Sequence, residues 1–242
     1  MLTIIIMAAG KGTRMNSDLP KVLHRLCGKP LIAHVLKTAF ELRPDRVLVI
    51  VGHRREEVIK ELRDRRVEWV VQEPQLGTGH AVQQAAAELD GFHGDVIVLS
   101  GDVPMLKSAT LSRLQEQHEA SGAAVTVLSA KAENPTAYGR IIRDSQGRFQ
   151  RIVEEREATD EERKIHEINS GIYCFDSDSL FSALSMLKAN NTKGEYYLTD
   201  VVGILNNGGK CVQAVEYAEF YEVQGINTQA ELASMEATFA RK

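Results

Sequence analysis

Residues 2–15 read LTIIIMAAGKGTRM, and this stretch decides the fold. The apolar run Thr3 to Met7 is far shorter than the roughly 18 residues a membrane helix needs. No basic segment precedes it, so it reads as a buried strand and not as a signal peptide. The run breaks at two alanines and enters a turn of glycines and cations, Gly10 to Arg14. Similar short runs follow at Arg46 to Val51, Val67 to Val71, Asp95 to Leu99 and Ala124 to Leu128. Between them lie helical patterns at Leu31 to Glu41, Glu56 to Asp64, Thr78 to Leu89 and Ala109 to Ala120. Continuous apolar strands separated by helices predict a parallel sheet covered on both faces, with right-handed crossovers. The expected class is α/β, a Rossmann-like doubly wound sheet.

The pattern changes after about Asn134. Gly139 to Arg143, Arg148 to Glu154 and Ser170 to Phe175 read as strands joined by short turns, a smaller β lobe. The charged stretch Glu154 to Glu167 between them reads as a solvated helix or loop. Helices are expected at Ser177 to Leu187 and Tyr197 to Leu205, and a strand at Cys211 to Val215. A terminal helix is expected over Thr228 to Arg241, with Asn227 or Thr228 as its cap. The organisation expected is one two-lobed domain over 1–227, then a helix over 228–242 that begins a linker.

Composition narrows the function classes. With 242 residues and 43% hydrophobic content, the chain buries a core without disulfide or metal staples. The net charge of −4 argues against a nucleic-acid partner, and no run suits a membrane. Cys27, Cys174 and Cys211 form no paired spacing, which suits the reducing cytoplasm. The seven histidines show no metal-ligand spacing.

Three loops at strand ends carry the candidate chemistry. In open α/β sheets, ligands bind at the carboxyl ends of strands. The first loop holds Ala8, Ala9, Gly10, Lys11, Gly12, Thr13 and Arg14, with Lys21 shortly after. Its glycines free backbone N–H groups to face an anion, and its cations suit a triphosphate. It is neither a Walker A loop nor the dinucleotide fingerprint, because Met15 stands at the third glycine position. Alone it also reads as an ordinary strand-to-helix turn. The second loop, SGDVPM, puts Gly101 and Asp102 at the same edge. A carboxylate beside a triphosphate suits magnesium; a turn or cap residue is the alternative. The third, QEPQLGTGHA, offers Gln72 as donor and acceptor for a base edge, and Gly77 for close approach. It reads equally as a glycine-rich helix start capped by Thr78. All three converge on one edge.

The motifs AAGKGTRMNSDLPKVLH, QLGTGHA, SGDVPM, AYGRI, INSGIY, GEYYLTDVV and QGIN occur in this order. Over Leu2 to about Thr228 the chain resembles the uridyltransferase domain of the bacterial bifunctional N-acetylglucosamine-1-phosphate uridyltransferases, in the sugar-nucleotidyltransferase superfamily. The resemblance implies a mixed sheet of the nucleotide-diphospho-sugar transferase type with a sugar-binding β lobe. It implies Mg2+-dependent attack of N-acetylglucosamine 1-phosphate on the α-phosphorus of UTP. The products are UDP-N-acetylglucosamine, a cell-wall precursor, and pyrophosphate. It implies that Ala8 to Thr13 and Gly101 wrap the nucleotide, and that Arg14 and Lys21 act on the phosphates. Gln72, Gly77 and Thr78 would read uracil, and Asp102 and Asn227 would hold the metal. Gly139, Glu154, Asn169, Tyr197 and Thr199 would surround the sugar. Two departures stand out. No hexapeptide repeats follow, so no acetyltransferase reaction and no oligomeric state are implied. Ser100 precedes GDVP where some members carry an aromatic residue. Another sugar or base, or a non-catalytic sugar-nucleotide-binding module, are the competing readings.

Overall fold

Ile4, Ile5 and Ile6 are fully buried, so the first strand has no solvent face. In the computed structural model, which describes residues 1–63, 65–189 and 194–239, this strand is β1 (Leu2–Ala8). Two single turns of 3-10 helix follow at Thr13–Met15 and Lys21–Leu23. A small ribbon of β2 (Arg25–Leu26) and β3 (Lys29–Pro30) leads into α1 (Leu31–Glu41). Next come β4 (Arg46–Val51), α2 (Arg55–Leu62), β5 (Glu68–Val71), α3 (Thr78–Gln83), β6 (Asp95–Ser100), α4 (Ser108–Ser121) and β7 (Val125–Lys131). The remainder holds β8 (Arg140–Arg143), β9 (Phe149–Val153), α5 (Asp160–Arg163), β10 (Glu167–Asp176) and α6 (Ser177–Leu184). It ends with α7 (Leu198–Asn207), β11 (Val212–Glu216), α8 (Phe220–Val223) and α9 (Gln229–Phe239).

The main sheet runs β11-β7-β10-β6-β1-β4-β5. Strands β5, β4, β1 and β6 pair in parallel, and β11 pairs in parallel with β7. Strand β10 runs antiparallel between β6 and β7, which makes the sheet mixed. Its first residues also pair with β8, and β8 pairs with β9, giving the smaller β extension. One face of the sheet buries Ile4, Ile6, Val49 and Leu99 against α1, α2 and α4. The other buries Ile5, Ile50 and Val98 against α3, α6 and α7. This is the doubly wound α/β arrangement that the continuous apolar strands predict.

Several boundaries differ from expectation. The helix expected over Thr78 to Leu89 is α-helical only to Gln83. Beyond it the backbone tightens into turns such as Ala85 N to Val82 O at 3.0 Å, which keep Ala85 and Leu89 buried. Strand β10 begins three residues before the expected Ser170, because Glu167 to Asn169 pair with the end of β7. The charged stretch forms the short exposed helix α5, closed by a capping box of Thr159 and Glu162. Asp64, Ala240 and Arg241, which closed two expected helices, lie outside the described residues.

A bulge in β10 positions part of the β extension. The register against β7 shifts between Asn169 and Tyr173, and Gly171 takes a left-handed φ of 76°. Ser170 holds this kink: its hydroxyl donates to Leu128 O at 2.6 Å and accepts from Ile172 N at 3.1 Å. Both bonds are buried, so deleting the hydroxyl leaves two backbone groups unmatched. Ser170→Ala should therefore cost about 1–3 kcal/mol, read as a lower urea midpoint with an unchanged slope.

Candidate active site

The carboxyl ends of β1, β4, β5 and β6 form one edge, and their loops extend the ladder beyond the strands. Gly101 N donates to Met7 O at 3.0 Å, His53 N to Ala9 O at 3.1 Å and Gln72 N to Val51 O at 2.8 Å. The first loop is drawn tight by two close approaches. A Cβ on Gly12, which has φ of 60°, would sit 2.7 Å from the Lys21 Cβ. A Cβ on Gly52 would sit 2.8 Å from the Ala9 Cβ. Ala8 and Ala9 are buried beneath, while Gly10, Lys11, Thr13 and Arg14 are exposed on the rim. Sequence reading missed Gly52, although it directly follows a buried strand at this edge.

Four polar side chains from distant segments meet beside this loop. The Lys21 ammonium donates to Asp102 Oδ2 and, at 3.1 Å, to Asn227 Oδ1. Arg14 Nη2 donates to the same Asn227 oxygen at 2.8 Å. Ile226 N donates to Asp102 O at 2.9 Å, which ties the Asn227 segment to the loop after β6. Gly225 lets the two segments touch: a Cβ there would lie 3.3 Å from Asp102 Oδ2. The Lys21 and Asp102 side chains keep only 20% and 14% exposure, so this ion pair is screened less than a surface pair.

Helix α9 sets the position of Asn227. Glu231 Oε2 accepts from Asn227 N at 2.6 Å and Thr228 N at 2.9 Å, and Thr228 Oγ1 accepts from Glu231 N at 3.1 Å. This is a capping box with Thr228 as the cap. The open choice between Asn227 and Thr228 is thereby decided, and the Asn227 carboxamide is left to face Lys21 and Arg14. One carboxylate oxygen and one amide oxygen converge on a single cationic group. An all-oxygen donor pair of this kind suits a hard divalent cation such as Mg2+. Tyr138 also stands near this point. Burial pushes its phenol up, aided by the charges of Glu231 and Asp102.

The third loop is braced by the segment around Tyr197. Gly79 N donates to Tyr196 O at 2.8 Å, and Tyr196 N to Leu76 O at 2.8 Å. Gly77 has φ of 114°, and a Cβ there would lie 2.5 Å from Tyr196 O. Thr78 Oγ1 accepts from Leu198 N at 3.0 Å, so Thr78 caps α7, a different helix from its own. The Gln72 side-chain nitrogen donates to Gly77 O at 2.9 Å and lies 3.1 Å from His80 Nδ1. Gln72 thus shapes its own loop. Burial lowers the His80 pKa, which favours the neutral ring.

The residues that the sequence resemblance assigns to a sugar lie on or beside the β extension and α7. Asn169 N donates to Gly139 O at 2.8 Å, and Asn169 Nδ2 to Tyr173 Oη at 2.8 Å. Glu154 Oε1 accepts from Thr199 Oγ1 at 2.9 Å. Burial first, then the charges of Glu195 and Glu154, raise the pKa of Tyr197. Burial and the charges of Glu157 and Glu154 push the Asp200 carboxyl up.

Residues 4–170 match the family described as MobA-like NTP transferase domain. The chain is 47% identical to the bifunctional protein GlmU of Enterococcus faecalis over 98% of its length, covering 52% of that protein. It is 48% identical to the GlmU of Prochlorococcus marinus (98% of this chain, 52% of that protein). It is 47% identical to that of Synechococcus (100% and 53%). The chain spans about half the length of the curated relatives it matches. A solved structure of UDP-glucose pyrophosphorylase complexed with UDP-glucose shares the fold, with a TM-score of 0.77 at 18% identity. The alignment covers 99% of this chain and 98% of that one.

The cap of α9 gives a direct test of this geometry. Glu231→Ala removes the acceptor of two backbone N–H groups and should cost about 1–2 kcal/mol in urea unfolding. Amide exchange should show Asn227 and Thr228 losing protection together.

Proposed function

The chain belongs to the MobA-like NTP transferase family, and from that membership we propose that it transfers UMP from UTP to N-acetylglucosamine 1-phosphate, releasing pyrophosphate and giving UDP-N-acetylglucosamine. The observation that carries this reading is the meeting of Arg14, Lys21, Asp102 and Asn227 at the glycine loop. The likeness to GlmU proteins supports the choice of base and sugar.

Two phosphate groups must approach each other, so the main tasks are alignment and neutralisation of charge. In this reading the backbone N–H groups of Gly10 to Thr13 turn toward the triphosphate. Arg14 stabilises the departing pyrophosphate. Lys21 exchanges its bonds to Asp102 and Asn227 for phosphate oxygens at the reacting centre. Asp102 and Asn227 would then hold Mg2+, which when bound would supply charge neutralisation at the phosphates. The sugar phosphate is already ionised near neutral pH and attacks in line without a general base. Ala8, Ala9, Gln72, Gly77, Thr78 and Gly101 form the nucleotide side of the site. Gly139, Glu154, Asn169, Tyr197 and Thr199 form the sugar side, where the Glu154 carboxylate accepts from hydroxyls. The catalytic unit includes α9, because the cap of that helix orients Asn227. These substrates belong to the cytoplasm and to the supply of cell-wall precursors. The reading includes no nucleic-acid or membrane partner.

Pyrophosphate release from UTP tests the reading directly. Release is expected with N-acetylglucosamine 1-phosphate and magnesium, and not with chelator. Equal release with glucose 1-phosphate would overturn the sugar assignment, and no release would overturn the reaction. Asp102→Ala should lower kcat/KM on the order of 100-fold or more, with a weakened magnesium dependence. Lys21→Ala should lower kcat more than UTP affinity, as expected for a charge acting in the transition state.

A further inference from the structure

At the opposite end of β6 from Asp102, three side chains of different chemistry face one another. Asp95 opens β6, His118 lies in the last turn of α4, and Cys174 lies on β10. One donor atom from each lies within 4.8 Å of the other two. The six residues of β6 put this cluster roughly 20 Å from the nucleotide edge.

The cluster has the outer support that metal ligands require. His118 Nδ1 is held by Thr126 Oγ1 at 3.0 Å, which leaves Nε2 facing Asp95 Oδ1 at 3.8 Å. Asp95 Oδ2 is held by Gln115 Nε2 at 3.1 Å, which leaves Oδ1 for the cluster. His118 and Asp95 are therefore each oriented through their second polar atom, as ligands are in built metal sites, while Cys174 is placed by β10 itself. Carboxylates also crowd this end of β6. Gln115 Nε2 bridges from Asp95 to Glu119 at 3.0 Å, and Asp176 is the cross-strand neighbour of Asp95. The Met1 ammonium is the cation whose charge acts on Asp95, and the backbone of Met1 lies beside it, with Asp95 N donating to Met1 O at 3.0 Å. His118 and Cys174 are buried, while the Asp95 side chain keeps 18% exposure and opens the cluster to solvent.

We propose that Asp95 Oδ1, His118 Nε2 and Cys174 Sγ form a three-ligand site for a borderline-soft divalent cation of the zinc class, with water as the fourth ligand. A sulfur, nitrogen and oxygen set suits zinc and disfavours magnesium. Tetrahedral zinc with ordinary bond lengths holds such donors about 3.3–3.6 Å apart, so the side chains close inward on binding. The Cys174 thiol gives its proton to bulk water as the sulfur–metal bond forms. The bound ion ties α4 to β6 and β10 and takes no part in nucleotide chemistry.

Cobalt(II) is the probe, added to the 242-residue chain carrying Cys27→Ser and Cys211→Ser, which leaves Cys174 as the one thiol of these residues. A thiolate-to-cobalt charge-transfer band saturating at one equivalent is expected. It should disappear in Cys174→Ser, and the apparent affinity should fall at least tenfold in Asp95→Asn, whose partly exposed position keeps the fold. The oxygen donors of Asp102 and Asn227 give no such band, so the two sites are read separately. The proposal is overturned by a folded protein without the band, by a band that survives Cys174→Ser, or by unchanged affinity in Asp95→Asn.

Discussion

Strand β1 is buried on both faces, with α1 on one side and α3 on the other. A strand in that position has no flank at which a polar group could meet water. Polar chemistry is therefore confined to the strand ends, where backbone groups run out of ladder partners. The same constraint acts on β4 and β6, its parallel neighbours, and their carboxyl ends lie at one edge. The loops there continue the backbone pairing by a residue or two before turning, so they are held close together. This is why Gly12 and Gly52 cannot carry side chains without displacing Lys21 or Ala9.

The second half of the chain is built into that edge from two directions. Strand β10 enters the sheet between β6 and β7 and carries Asn169 on its bulged end. The segment before α7 pairs with the third loop through Tyr196, and Thr78 caps α7 in return. The loop proposed to read the base and the segment proposed to hold the sugar thus stabilise each other. A substitution at Gly77 therefore disturbs both, because the backbone of Tyr196 lies against it.

Much of this was legible in the sequence. Continuous runs of Val, Ile and Leu announce strands buried on two faces, and β1, β4, β5 and β6 pair in parallel as expected. The insertion of β10 was not legible, because strand order depends on contacts between residues far apart in the chain. Local chemistry was partly legible. The run from Thr228 to Glu231 has the capping-box spacing, yet only the bonds to Glu231 separate the cap from Asn227. Thr78 was expected to cap its own helix or read a base, and its capping of α7 depends on a partner 120 positions away. Asp95, His118 and Cys174 carry no ligand spacing because three separate elements bring them together.

The exposed glycine loop also needs an anchor, since its polar residues bury little surface of their own. Met15 supplies it. The residue is fully buried in a small separate core with Leu26, Leu31, Ile226, Leu232 and Met235. Arg14 directly precedes Met15, and Asn227 directly follows Ile226. Each polar residue is thus one position from an apolar side chain in the same cluster, and the two meet at 2.8 Å. Burial of Met15 and Ile226 costs nothing in polar desolvation and fixes the backbone on either side of that contact. The polar contact inherits its geometry from the apolar one, and α9 contributes Leu232 and Met235 to the cluster that sets it.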